Sequence, residues 1–468
     1  MSATTSSLAE LATRVSGRVV TAADADWDAV RSGYNLAADL EPAAIVLAVD
    51  TDDVVAAVAH ARDHGLHVAG QATGHNAAAH AGVSDTLVVD VRELRSIAID
   101  VDTGRARVGA GVRWRDVVPQ LSDLGLAALH GSSPDVGIAG YSLGGGMGWL
   151  ARKHGLQANS VVAFDVVTAD ARLHRVDAHH QPDLFWALRG GNGNFGVVTA
   201  IEFTVYPVKE LYAGGLFFPL ERAEEVLTTW TSIAPDLPEE LMTWTTVYQF
   251  PDVPEVPEPL RGGAFTVFHA AFLGSEEEGA ALVAPVRELG AALDTFAMVA
   301  PVALADMAMD PPDPLPYRST TALLDDLPAD GIGRVLEVVG EGAGSPLPLV
   351  QIRHLGGALS RTEPGAGARA TMPGQFCLFA LGVVPDYESA VEVASYLQRL
   401  DVAVEPWRIG QYPNFVEHPA DASTFFDAAT WERLRSAKAQ HDPAGLFRGN
   451  HRIEPATGDR VARAAEAV

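Results

Sequence analysis

Apolar and polar positions recur with different periods along the chain, and each change of period marks an element. Ala44-Ile-Val-Leu-Ala-Val49 is an apolar run of strand length. Val54, Val55, Val58 and Ala61 then recur at helical spacing. Thr51 is the expected N-cap, Asp52 and Asp53 sit in the positively polarised first turn, and Gly65 is the stop. His67-Val-Ala-Gly-Gln71 opens the next strand, so the segment predicts an α/β unit. Short strands are expected at 86–90, 96–99 and 106–109, with a helix over 113–124. A hairpin is expected over 160–176, turning near Ala169-Asp170-Ala171, and a long alternating strand over 196–206.

After Pro207 the texture changes. Helical patterns at 221–232, 276–290 and 386–399 are interspersed with strand-like runs at 242–249, 264–272, 348–354 and 375–383. Pro-rich stretches at 251–259 and 311–316 separate them. This mixture predicts an α+β layer with an antiparallel sheet. The tail carries a helix over 430–440, stopped by His441-Asp-Pro443.

A chain of 468 residues suits two domains rather than one core. The net charge of −27 repels phosphate backbones and anionic lipid, which disfavours nucleic acid and membrane surfaces as partners. The single cysteine, Cys377, lies in an apolar run and is expected in the core. One cysteine makes no intrachain disulfide, which fits a cytoplasmic location. The first residues lack a basic segment followed by an apolar one, and no apolar run is long enough to cross a bilayer.

Three segments carry candidate chemistry. In Gln71-Ala-Thr-Gly-His75-Asn76, a strand end and a glycine turn place an imidazole at a loop tip beside backbone N–H groups able to cradle phosphate. Alone, such a histidine is more often just an exposed polar loop residue. The second segment runs from Gly131-Ser-Ser-Pro-Asp-Val-Gly137 through Gly140 and Tyr141 to Gly144, Gly145, Gly146 and Gly148. Its glycines allow close approach of a bulky anionic ligand, or simply a tight loop between packed elements. It follows several strands rather than the first, which argues against a Rossmann fingerprint. In the third, an aromatic helix at 184–188 ends in Gly190 and Gly191 and leads through Gly193 and Gly196 into a strand.

In this order and spacing, the three segments resemble the berberine-bridge-enzyme-like branch of the vanillyl-alcohol-oxidase/p-cresol-methylhydroxylase (PCMH) superfamily. Tyr34-Asn35 with Pro42, Arg92-Glu-Leu94 and Lys438–Asn450 add to the match, which covers about 17–207 and 410–455. The middle matches loosely, chiefly at Arg353-His-Leu-Gly-Gly-Ala358. The resemblance implies a PCMH-type FAD-binding fold of two domains. The FAD-binding part would comprise 1–207 and 411–468, with an inserted α+β substrate domain over 208–410. It implies FAD bonded through His75 to the flavin 8α-methyl group. Many members add a second bond from a cysteine at the position held here by Ser133, so a single link is expected.

Gln71, Ala72, Thr73, Gly74, Asn76 and His80 are expected around the cofactor. So are Val136, Gly137, Gly140, Tyr141, Gly144, Gly145 and Gly148, with Gly196 and Val198 by the adenosine and Asn450 by the flavin edge. The reaction implied is hydride transfer from a small or secondary-metabolite-like substrate to FAD, then to O2, giving H2O2. Val136 stands where a small aliphatic residue leaves room for oxygen. A dehydrogenase or cyclase that does not use O2, and a flavin-binding protein without turnover, remain alternatives. The family's Tyr-x-Asn-Tyr segment reads Tyr412-Pro-Asn-Phe415 here. The tyrosine often assigned as base is therefore Phe415, and Tyr412 is the candidate in its place.

No metal is expected. His60 and His64 are four apart on a helix but lack a third ligand, and a solvated face is the reading adopted. His179-His180 are assigned no role. Asp310, Asp325 and Asp326 are read as surface acids, with Asp310 near a substrate loop at Tyr317-Arg318. His269 and His354 are read as satisfied sheet histidines that would reach the substrate only if turned inward. Monomer and homodimer are both open.

Overall fold

The computed structural model describes residues 3–80, 83–311 and 313–456. Among these, three large sheets form. The four-stranded sheet has the order Arg18–Val20, Ala44–Leu47, Thr86–Asp90, His67–Gln71. The last three strands are parallel, as the α/β reading requires, and the first is antiparallel to its neighbour. The helix Thr51–His64 connects two of them. Its N-cap is Asp50, not Thr51: Asp50 is extended, and its carboxylate accepts the Asp53 N–H at 2.9 Å. Asp53 is buried and accepts the N–H groups of Ser16, Gly17 and Val49, which ties the preceding loop to this first turn.

A five-stranded antiparallel sheet follows, in the order Ile97–Asp100, Arg105–Gly109, Val197–Thr204, Val161–Val167, Leu173–Asp177. The third sheet, antiparallel throughout, has nine strands. Leu211–Pro219, Ala264–Phe272, Leu241–Gln249, Leu349–His354, Phe376–Val383 and Tyr317–Leu324 lie side by side in that order. Two of these, Leu211–Pro219 and Tyr317–Leu324, have no counterpart in the sequence reading. The first is buried at eight consecutive positions, so it shows no alternation of polar and apolar residues. The helices Ala223–Ile233, Ala329–Val339 and Tyr387–Val404 contribute to the core of this sheet. One apolar cluster joins residues 8–205 to Ala368 and the tail residues 416–453, and another joins residues 212–404.

The tail is pinned by a buried charge. Lys438 and Asp442 are 1% and 0% exposed and pair at 2.5 Å, and Lys438 also donates to the carbonyls of Asn194 and Phe447. Asp442 accepts the N–H groups of Leu446 and Phe447, which fixes the turn that leads to Asn450.

Several side chains lie elsewhere than expected. His60 is buried and stacks on His64 at 4.1 Å, so that face of the helix is only half solvated. His269 and His354 are buried, both ring nitrogens of His269 and Nδ1 of His354 find no partner among the described residues, and neither residue borders the main cavity. Cys377 is fully buried, and Asp325 and Asp326 are exposed. Among the described residues no cluster of His, Cys, Asp and Glu could hold a metal ion, and no helix is long and apolar enough to cross a membrane.

Candidate active site

One cavity holds about 1460 Å³ of space free of protein atoms, part of it open to solvent. Its walls come from loop 71–77, loop 131–137 with the start of helix Ile138–Gly144, one face of the nine-stranded sheet, and the segment 412–417.

Loop 71–77 turns at Gly74, where φ is +72° and a Cβ would fall 2.6 Å from the Gly33 Cα. Only glycine permits both the left-handed backbone and that approach. The turn presents His75, whose ring stacks on Tyr34 with centroids 3.8 Å apart. The Nε2 atom of His75 is buried and has no hydrogen-bond partner among the described residues. Burial, aided by Arg113, pushes the imidazole down to about 3, so the ring is neutral at physiological pH. Among the described residues none of the backbone N–H groups of Thr73–Asn76 donates to a protein acceptor. Asn450 donates to the Asn76 carbonyl at 2.7 Å, and Asn76 donates to that of Pro413 at 3.2 Å.

On the opposite wall, Leu349, Gln351 and Arg353 share one face of a strand, because alternate residues point the same way. Arg353 is 3% exposed, and its guanidinium lies 4.0 Å from the Trp244 ring centre and 4.8 Å from that of Phe415. Tyr317 and Ser319 donate to the two oxygens of Glu417 at 2.8 and 2.7 Å. Burial pushes the Glu417 carboxyl up to about 7 against those two bonds, which act in the opposite direction. Tyr317 also lies 3.3 Å from the His75 carbonyl. Asp310 lines the cavity rather than the outer surface, and burial raises its carboxyl too.

The sequence-derived candidates divide into two groups. Gln71, Ala72, Thr73, Gly74, His75, Asn76, His80, Ser133, Val136, Gly137, Gly140, Tyr141, Tyr412 and Asn450 all border this cavity. Gly144, Gly145, Gly148, Gly196 and Val198 do not, for reasons of packing. A Cβ on Gly144 would fall 1.7 Å from Asn414 Oδ1, and one on Gly148 would fall 1.7 Å from the His130 carbonyl oxygen. Gly145 and Gly196 adopt φ of +131° and +157° against neighbouring chain, and Val198 is buried within its strand.

Tyr412 is 1% exposed, and its hydroxyl accepts the Gly146 N–H at 2.9 Å. That bond favours a phenolate, but burial outweighs it and raises the phenol above its ordinary value. Glu417 and Gln351 were missed by the sequence reading, which named Ser132, Tyr317 and Arg353 only as members of segments and gave them no role. The legible signal was Gln351 and Arg353 alternating with the apolar residues of one strand, since buried polar side chains are rare without a purpose.

Comparison with known proteins agrees with this arrangement. Residues 42–177 match the family described as FAD binding domain. The (R)-6-hydroxynicotine oxidase of Paenarthrobacter nicotinovorans is 28% identical over 94% of this chain and 97% of its own length. A xylooligosaccharide oxidase of Thermothelomyces thermophilus is 27% identical over 92% of this chain and 91% of its own. The solved structure of BBE-like 1 from Physcomitrella patens superposes with a TM-score of 0.84 at 20% identity, covering 96% of this chain and all of that one. The fold and the cavity thus define an FAD-binding protein of the PCMH type. The chain is an FAD-linked oxidoreductase that resembles the berberine-bridge-enzyme-like branch of that superfamily.

Proposed function

We propose that the protein is an oxidase that takes a hydride from a small organic substrate through FAD attached at His75 and passes the electrons to O2, giving H2O2. The observation that carries the attachment is the neutral, buried and unpartnered Nε2 of His75, a lone pair free to bond carbon. The free N–H groups of Thr73–Asn76 fit an anionic pyrophosphate, and the glycine turn leaves room for it. Ser133 borders the cavity where a thiol would make a second link, and a hydroxyl is too poor a nucleophile to do so. When bound, FAD supplies the two-electron acceptor, and the protein supplies position and proton transfer.

The FAD-binding part then comprises 1–207 and 411–468, and the sheet of 208–410 covers the substrate side. Within the cavity, Glu417 suits the proton acceptor better than Tyr412. A carboxyl at about 7 is half ionised at neutral pH, the condition under which general-base catalysis is most effective. Tyr412 serves instead to hold the Gly146 backbone in place. Val136, small and on the cavity wall, leaves space for O2. The relatives named as oxidases support this electron acceptor.

The test is direct. Colour that stays with the acid-denatured polypeptide, and is lost from it in His75→Ala, supports the attachment; colour released to the supernatant refutes it. Substrate-dependent O2 uptake matched by H2O2 supports the oxidase. Reduction of the bound flavin without O2 uptake, reoxidised only by artificial acceptors, makes it a dehydrogenase.

A further inference from the structure

The cavity also carries a charge that the proposed chemistry does not use. Arg353 lies on the sheet wall, 3% exposed. Its Nε donates to Gln351 Oε1 at 2.6 Å, and its terminal nitrogens reach Ser132 Oγ at 3.2 Å and the Met147 carbonyl at 3.5 Å. Those acceptors are all neutral. Gln351 is itself oriented by donating to Thr246 Oγ1 at 3.2 Å, which leaves its oxygen for the guanidinium. Trp244 and Phe415 hold the guanidinium in place. Cys377, opposite Arg353 in the neighbouring strand, is no counter-ion, because burial pushes its thiol up to about 11. A buried cation without a bonded anion is costly, so a site that keeps one so firmly oriented is built to receive an anion.

We propose that this cavity selects substrates bearing a carboxylate, bound by the free edge of the Arg353 guanidinium. The proposal rests on the flavoprotein reading above and names the substrate class of the same site. A guanidinium has five N–H donors; three are directed at protein oxygens, which leaves two for a carboxylate. Arg353 is the one Lys or Arg among the described residues bordering the cavity, which matches a single negative charge rather than a phosphate. The neighbouring wall is apolar, with Leu349, Phe379, Leu381 and Phe415, and fits a hydrocarbon or aromatic body. Asp310 is the rival anion on the same cavity. It lies close enough to feel Arg353, and burial, which raises its carboxyl, weakens this rival without removing it. Glu417 is occupied by Tyr317 and Ser319.

The experiment titrates the purified flavoprotein with benzoate and phenylacetate and with their amides, benzamide and phenylacetamide. Binding is read from the flavin visible band and, independently of the flavin, by equilibrium dialysis. Acids are expected to bind about tenfold or more tighter than their amides, a preference that Arg353→Gln abolishes and Arg353→Lys keeps in part. Amide binding is expected to stay unchanged in Arg353→Gln. Asp310→Asn, which removes the rival anion without touching Arg353, is expected to strengthen acid binding severalfold, and it tests the idea even if Arg353→Gln does not fold. Acids binding no better than amides, acids failing to bind at all, a preference that survives Arg353→Gln, or no gain in Asp310→Asn would each overturn the proposal. A colourless protein that still prefers acids in dialysis would refute the flavoprotein reading and leave this one standing.

Discussion

Replacing Glu417 by Gln removes a charge and little else. Gln keeps an oxygen for one of the two donors, Tyr317 or Ser319, and the other hydroxyl can rotate to accept from the new amide. The native carboxyl is raised from 4.5 to about 7, so the folded protein holds this proton more tightly than the unfolded chain does. Stability from this group is therefore fully present below pH 4.5 and is lost as pH climbs to about 7. The loss amounts to about 3 kcal/mol, since each tenfold change in proton affinity is worth about 1.4 kcal/mol. Melting temperatures of both proteins, measured at pH 4.5 and pH 8, isolate this effect as a difference of differences. Glu417→Gln is expected to gain several degrees on the wild type at the higher pH. The same change removes the proposed base, so kcat/KM on any substrate found by screening is expected to fall by about 10²–10⁴-fold. The wild-type rate should rise with pH to a plateau above about 7, and the variant should lose that limb. A wild-type-to-variant stability gap that is the same at both pH values would show that Glu417 is not raised. A limb near pH 7 that persists in the variant would assign the base to another group.

Other expectations concern the cofactor loops and the tail. Lys438→Met leaves Asp442 buried and unpaired, and urea unfolding is expected to register a loss of about 3–5 kcal/mol. Gly144→Ala drives a methyl group into the side chain of Asn414, which donates to the Tyr141 carbonyl at 3.0 Å; the FAD-to-protein ratio of the purified variant is expected to drop. Ser133→Cys places a thiol on the cavity wall, and peptide mass analysis is expected to find flavin bonded to that residue as well as to His75.

Local signals in the chain explain which parts of this arrangement could be read in advance. The strand–helix–strand of 44–71 was legible because its helix stripe, its glycine stop and its two apolar strand runs all lie within thirty residues, although both strands pair with Thr86–Asp90 and not with each other. Even there the cap shifted by one residue, since Asp50 and Thr51 are both good capping residues and only the extended backbone at Asp50 chooses between them. The nine-stranded sheet was legible in character but incomplete. Its strands pair residues far apart, such as Tyr317 with Val383, and strands covered on both faces lose the alternation that reveals them.

The site divides along the same line. His75, Gly74 and the 131–141 segment could be found because each motif is contiguous and needs glycine for its own backbone or its own close approach. Glu417, Tyr317 and Arg353 could not, because what makes each of them chemically unusual is supplied by distant chain. Glu417 is raised because burial beside a distant strand outweighs the two bonds that its oxygens accept from residues 98 and 100 positions away. Arg353 is held by Ser132, over two hundred residues earlier, and by the rings of Trp244 and Phe415. Tyr412 shows the converse. Its place in a recognisable segment suggested a base, yet the backbone of Gly146 takes up its hydroxyl. Sequence position identifies residues that must approach a ligand, whereas acidity and charge pairing are properties of the packed cavity. The proposed base and the proposed anion anchor therefore emerge only once the sheet face and the 412–417 segment close over loop 71–77.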